Sequence, residues 1–147
     1  MRLLNTNNIK VGDKLPELVI GPISRNSLTI YADASGDHNP IHIDQGFARQ
    51  VGLPDVIAHG MLVMSYLGQV LTNNINQSSI KEYEVKFCSM TKIGDVLTCN
   101  GTVTHMDQTE MGKLLKIELK VLDQDNDEKL IGECTIMVSW SWKNQRK

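Results

Sequence analysis

From His59 to Thr72 the chain carries no Asp, Glu, Lys or Arg, and Leu62, Val63, Tyr66, Leu67, Val70 and Leu71 recur at helical spacing. Residues three and four apart share one face of a helix, so these side chains form an apolar stripe. Met61 and Met64 widen it. A helix apolar most of the way round is a buried helix, so other layers must cover it. Any fold open to this chain is built around that segment, and the ordinary role of its Met and Tyr residues is core packing.

The sequence after it supplies the cover. Tyr83, Val85 and Phe87 alternate with Glu82, Glu84 and Lys86, and Leu97, Cys99, Gly101 and Val103 continue after a turn at Ile93-Gly94-Asp95. Leu115, Ile117, Leu119 and Val121 alternate with Lys116, Glu118 and Lys120. A polar hairpin loop over 123–128 leads to a last strand carrying Leu130, Gly132, Cys134, Ile136, Val138 and Trp140. Period-two alternation marks antiparallel strands with one covered face. A further strand is expected near Leu15–Ile20.

The half before Asn76 reads mainly helical. Ser27 is the expected N-cap of a helix over Leu28–Ser35, closed by Gly36 as a left-handed stop. A short helix is expected from Asp44 through Arg49 to Val51, ending at Gly52. One buried helix wrapped by about five antiparallel strands is an α+β layer. With 147 residues and no repeat, low-complexity tract or Pro/Gly linker, the expectation is one domain over 1–147. Such a chain buries roughly 68–70% of its unfolded surface and needs no staples.

Bulk charge excludes a polyanion partner. The formal net charge is −2, and the only basic cluster is the tail Lys143, Arg146 and Lys147, whereas nucleic-acid binding calls for a basic stripe. Cys88, Cys99 and Cys134 are far apart and sit in strand-like apolar patterns, as small core residues do. The N-terminus shows no signal-peptide pattern. No stretch approaches the ~18 apolar residues of a membrane span, so a cytoplasmic protein is expected.

Groups able to do chemistry crowd into Ser35-Gly-Asp-His-Asn-Pro-Ile-His-Ile-Asp44. The residue before a proline is pushed out of the helical region, so Asn39-Pro40 forces a turn. That turn can bring Asp37 and His42 to the same side, a carboxylate and an imidazole at the range of a general acid/base pair. Two other readings stand beside it. Asp and Asn in turns often only bond local backbone, and His38, His42, His59 and Asp44 could ligate a metal, although no H-E-x-x-H pattern supports that. Downstream, Ile57-Ala-His-Gly-Met-Leu62 opens the buried helix. First-turn amides lie unpaired at the positive end of a helix, and at Gly60 no side chain blocks an incoming oxygen that gains negative charge.

These residues resemble the MaoC-like family, which includes (R)-specific enoyl-CoA hydratases and (3R)-hydroxyacyl-ACP dehydratases. Ser35-Gly-Asp-His-Asn-Pro-Ile-His42 with Asp44 matches, as do Ala58-His-Gly-Met-Leu62, Val11-Gly-Asp-Lys-Leu-Pro16, Tyr83-x-Val-x-Phe87 and Ile93-Gly-Asp95. The resemblance spans nearly the whole chain. It implies a hot-dog fold, a sheet wrapped around a long central helix, in a homodimer or an oligomer of dimers. It implies a hydro-lyase acting on trans-2-enoyl and (3R)-3-hydroxyacyl thioesters of fatty-acid metabolism, carried on coenzyme A or acyl carrier protein. Asp37 and His42 are then the catalytic pair and the Gly60 N–H polarises the thioester carbonyl. Asn39, orienting its loop, is grouped with His59, Met61 and Met64 as substrate-binding, and Met64, Tyr66, Leu67 and Val70 are the expected tunnel floor. No metal or other cofactor is implied.

Two rival classes are a hot-dog thioesterase and a non-catalytic acyl-thioester-binding partner subunit. Thioesterases and the other dehydratase type of this fold generally place an Asp or Glu on the central helix, and residues 60–79 contain neither. A non-catalytic subunit is expected to have lost Asp37 or His42, and both are present. Scattered Lys81, Lys86 and Lys92 do not separate the two carriers.

Overall fold

The computed structural model describes residue 5 and residues 8–140; the basic tail and most of the first seven residues lie outside them. In chain order the elements are β1 (Leu18–Ile20), α1 (Arg25–Ser35), α2 (Gln45–Gln50), α3 (Gly60–Thr72), β2 (Ile80–Phe87), β3 (Leu97–Thr109), β4 (Gly112–Leu122) and β5 (Glu128–Ser139). Single 3₁₀ turns occupy Pro40–His42 and Gln77–Ser79. The strands form one antiparallel sheet in the order β1-β3-β4-β5-β2.

The alternation in the sequence becomes the two faces of this sheet. Leu97, Cys99, Gly101 and Val103 on β3, and Leu115, Ile117, Leu119 and Val121 on β4, are buried, while their neighbours are less so. Against this face lies α3, which meets β1, β3 and β4 with Leu62, Val63, Leu67, Val70 and Leu71 inside. Burying a Leu such as Leu67, which is 0% exposed, contributes about 1.5–3 kcal/mol. The α+β hot-dog architecture follows, a curled sheet over one helix.

Several local expectations shift. Helix α1 begins a turn earlier than its apolar pattern, because its first turn, Arg25-Asn26-Ser27, is polar. Its N-cap is therefore Ser24, whose Oγ accepts from the Ser27 N–H at 3.1 Å. Gly36 closes the helix as expected, at φ 77°, a left-handed conformation costly for any residue with a Cβ. Burial of α3 is one-sided in this chain: Met61, Ser65, Gln69 and Thr72 lie exposed along its other face. Cys88 is exposed rather than core, whereas burial pushes the Cys99 and Cys134 thiols up to about 12. Trp140 follows β5 instead of ending it, and its indole N–H donates to the Thr109 carbonyl at 3.0 Å. Among the described residues no helix is long and apolar enough to cross a membrane.

Candidate active site

Once Gly36 has turned the chain out of α1, three short bonds shape the polar loop. Ser35 Oγ accepts from the Asp37 N–H (3.1 Å), Asp37 Oδ1 from the Asn39 N–H (3.2 Å), and Asn39 Oδ1 from the Ile41 N–H (3.1 Å). Asn39 thereby caps the 3₁₀ turn that carries His42. Its Oδ1 is thus occupied in holding the loop.

The turn brings Asp37 and His42 together. His42 Nδ1 lies 2.7 Å from the Ile57 carbonyl oxygen, which can only accept, so this nitrogen carries the proton. Nε2 of the neutral ring then keeps its lone pair and lies 4.0 Å from Asp37 Oδ2. His42 is mostly buried, its side chain 12% exposed, against 51% for Asp37.

His59 stands behind the pair. It is buried, its ring stacks on that of His42 (centroids 3.9 Å apart, planes at 26°), and Tyr31 meets it edge-on at 4.8 Å. Its Nε2–H donates to the Asp37 carbonyl at 3.1 Å, while its Nδ1 has no hydrogen-bond partner among the described residues. Burial, aided by the neighbouring His42, holds its basicity below the ordinary imidazole value despite the Asp37 carbonyl and carboxylate.

A cleft of about 550 Å³ opens beside His42 and Gly60, walled by Ile57, Val63, Phe87, Met90 and Leu130 among others. The Gly60 and Met61 amides make no hydrogen bond among the described residues, as expected at a helix start. The structure adds a reason for glycine here. A Cβ on Gly60 would lie 2.9 Å from Cε1 of the Phe87 ring, tighter than real contacts allow. A larger residue here would have to push the half-exposed Phe87 ring aside.

The opposite wall, over Cys88–Thr91, is held by charge. Lys129 Nζ is buried and donates to the Met90 carbonyl (2.9 Å) and to Asp127 Oδ2 (2.9 Å), with Asp123 Oδ2 at 3.2 Å and Asp95 Oδ2 at 4.0 Å. Ser89 Oγ donates to Asp127 at 2.8 Å. The Thr91 carbonyl next in line accepts from the Ala58 N–H at 2.8 Å, two residues before Gly60.

Of the expected site residues, the cleft gathers His42 and Gly60; Asp37 does not line it and stands 4.0 Å from His42 Nε2. His59 does not line the cleft but is sealed behind the pair. Met61 is 58% exposed on the open face of α3, and Met64, whose carbonyl accepts from the Tyr83 hydroxyl at 2.7 Å, is not a wall residue either. The expected floor also differs: Leu67 and Val70 are core, and Val63, Phe87 and Leu130 wall the cleft. Asp44 caps α2 and the exposed His38 pairs with Asp33 at 3.9 Å, so neither joins His42 and His59 as a ligand. Asp37, His42 and His59 do place donor atoms within 4.8 Å of one another. An imidazole binds a metal in its ring plane, however, and two rings stacked nearly parallel do not converge on one ion. The Ile57 carbonyl, Phe87 and Lys129 escaped sequence reasoning, since a backbone acceptor and long-range neighbours leave no local motif.

Comparison with known proteins identifies the family. The model of the MaoC-like domain matches residues 9–124. A mitochondrial 3-hydroxyacyl-[acyl-carrier-protein] dehydratase of Arabidopsis thaliana is 28% identical over 88% of this chain and 78% of its own length. An (R)-specific enoyl-CoA hydratase of Rhodospirillum rubrum is 32% identical over 57% of this chain and 60% of its own. The chain spans only 6% of the fatty acid synthase β subunit of Saccharomyces cerevisiae that it also matches. Among solved structures, the unliganded R-hydratase of Pseudomonas aeruginosa superposes with a TM-score of 0.78 at 26% identity, covering 92% of this chain and 85% of that one. With the model matched over most of its length and the Asp37–His42 loop in place, the chain belongs to the MaoC-like domain family.

Proposed function

We infer that the chain is a hydro-lyase interconverting trans-2-enoyl thioesters and (3R)-3-hydroxyacyl thioesters of fatty-acid metabolism. One observation carries the reading. The Ile57 carbonyl fixes the His42 tautomer, and the unprotonated Nε2 faces the Asp37 carboxylate across 4.0 Å. Two acceptors at that separation can each take one hydrogen of the same water at roughly 2.8 Å. The water is then held with a lone pair free to attack.

Conjugation with the thioester makes C3 electrophilic. As the water oxygen bonds to C3, the π electrons move toward the thioester oxygen and the water gives up a proton to the pair. Gly60 N–H, unpaired at the head of α3 and in the same cleft as His42, is the donor proposed for that oxygen. Such a donor is worth roughly 2.7–4 kcal/mol elsewhere. The pair returns a proton to C2, so the sum is one water added, and the reverse sequence dehydrates. Nothing in these steps calls on a metal or redox group.

The apolar walls of the cleft suit an acyl chain, on coenzyme A or on acyl carrier protein. The open face of α3 carrying Met61 is where a second copy would complete the burial of the helix, and a homodimer or an oligomer of dimers is proposed on that ground. The absence of acidic residues from Gly60–Thr72 disfavours the thioesterase reading. A rate series of enoyl-CoA lengths beside enoyl-ACP tests the function. Loss of enoyl absorbance without free thiol is expected; thiol release, or no reaction with any length on either carrier, overturns it.

A further inference from the structure

His59 is 1% exposed and outside the cleft wall, and the steps above give it no task. Its Nδ1 is buried without a partner among the described residues, and an unpaired buried polar atom costs roughly 1–3 kcal/mol. A Leu or Phe of similar bulk would avoid that penalty. What the imidazole makes instead are contacts that meet the catalytic pair from behind. Nε2–H holds the Asp37 carbonyl at 3.1 Å, and the ring face covers His42 at 3.9 Å. Its own carbonyl accepts from the Leu62 and Val63 amides (3.1 and 3.3 Å), anchoring it at the head of α3 beside Gly60.

We propose that His59 is a positioning residue: an imidazole kept uncharged that fixes Asp37 by its backbone and His42 by its ring face, preserving the gap the water bridges. This rests on the hydratase reading of that pair. The Asp37 carbonyl only accepts, so Nε2 already carries the one proton of the neutral ring. A second would land on Nδ1, buried without an acceptor. The groups facing the ring are Asp37, His42 and Tyr31; burial and the adjacent His42 resist a second proton more than Asp37 favours it. A charged His59 would repel the proton His42 must accept, so its neutrality serves the reaction.

Two variants separate the contacts. His59→Phe keeps a ring face and loses the donor to Asp37; His59→Gln keeps a donor and loses the stack. Each is expected to lower kcat by about a hundredfold, the scale of a misplacement near 1 Å, with KM within about twofold. Imidazole nitrogen NMR of the unaltered protein should show His59 neutral and protonated on Nε2 at pH 7, and taking up a second proton only at lower pH than a free imidazole does. The proposal is overturned if His59 is charged at pH 7 or carries its proton on Nδ1, or if both variants fold and turn over within about twofold of the parent. Should the parent hydrate no enoyl thioester, the functional reading fails on its own, and the NMR still decides the state of His59. The same NMR decides it if neither variant folds.

Discussion

The Nδ1 atom of His42 lies 2.7 Å from the Ile57 carbonyl oxygen, and this bond decides which ring nitrogen can act as a base. Ile57 is itself pinned, its N–H donating to the Ile41 carbonyl at 3.2 Å. The His42 ring is thus oriented by backbone that is itself held, and its Nε2 lies 4.0 Å from the Asp37 carboxylate.

Removing either partner should stop the reaction without unfolding the chain. Acid/base help contributes about a hundred- to ten-thousandfold, so His42→Ala and Asp37→Asn should each lower kcat/KM by that order. Asp37→Asn is the cleaner change. An Asn carbonyl still accepts from the Asn39 N–H, as Asp37 Oδ1 does now, so the loop survives while the charge is lost. Steady-state rates beside an unchanged unfolding midpoint check both.

Gly60→Ala keeps the amide N–H and improves helix propensity, yet it should slow the enzyme. Its new Cβ meets the Phe87 ring at 2.9 Å, and shifting that half-exposed ring changes the wall of the cleft it lines. A loss of about tenfold in kcat/KM is expected, the smaller end of what displaced groups cost. Phe87→Ala added to Gly60→Ala should recover most of it. Measuring kcat/KM for both singles and the double closes the cycle; no recovery would place the damage elsewhere.

Legibility followed the range of the interactions. The period-two strands and the charge-free run at α3 fixed the fold, because burial acts on every residue of those segments. Asp37, Asn39 and His42 were legible because their loop is made by contacts between near neighbours in sequence. The start of α1 was missed, since a polar first turn carries no apolar signal. Met61 was misplaced because hydropathy does not say which face of α3 the sheet covers. Phe87 over Gly60, and Lys129 under Met90, pair residues 27 and 39 apart, beyond the reach of any local pattern.

His59 should also leave a mark on stability. Its folded-state basicity is lowered, chiefly by burial, so the unfolded chain binds the proton first as pH falls. The stability contribution is therefore complete above the unfolded value of about 6.5 and declines below it, down to the folded value. Denaturant unfolding at a series of pH values should show this decline in the parent. His59→Phe, with nothing to protonate there, should show a shallower slope over the same interval. Equal slopes in the two proteins would contradict it.

Lys129→Met is the change expected to cost the most far from the catalytic pair. The ammonium is buried among Asp123, Asp127 and Asp95, of which Asp95 and Asp123 are themselves buried. Breaking a buried ion network by removing one partner costs about 3–5 kcal/mol, because the charges left behind lose their compensation. The pH dependence gives the mechanism away. Burial pushes the Asp123 carboxyl up, but the Asp127 and Asp125 amides and Lys129 outweigh it; Asp127 is held low by Lys129 and then Ser89. In the parent their contribution is full above about pH 3.9 and is lost as pH falls through the folded values. In Lys129→Met that contribution is already absent and the uncompensated carboxyls would be relieved by taking up protons, so the penalty relative to the parent should shrink toward acid pH. Because Lys129 also holds the Met90 carbonyl in the cleft wall, the variant should bind enoyl thioester more weakly while the His42–Ile57 bond persists. Denaturant unfolding at neutral and acid pH, together with KM, checks both effects; a penalty that grows on acidification would refute the electrostatic account.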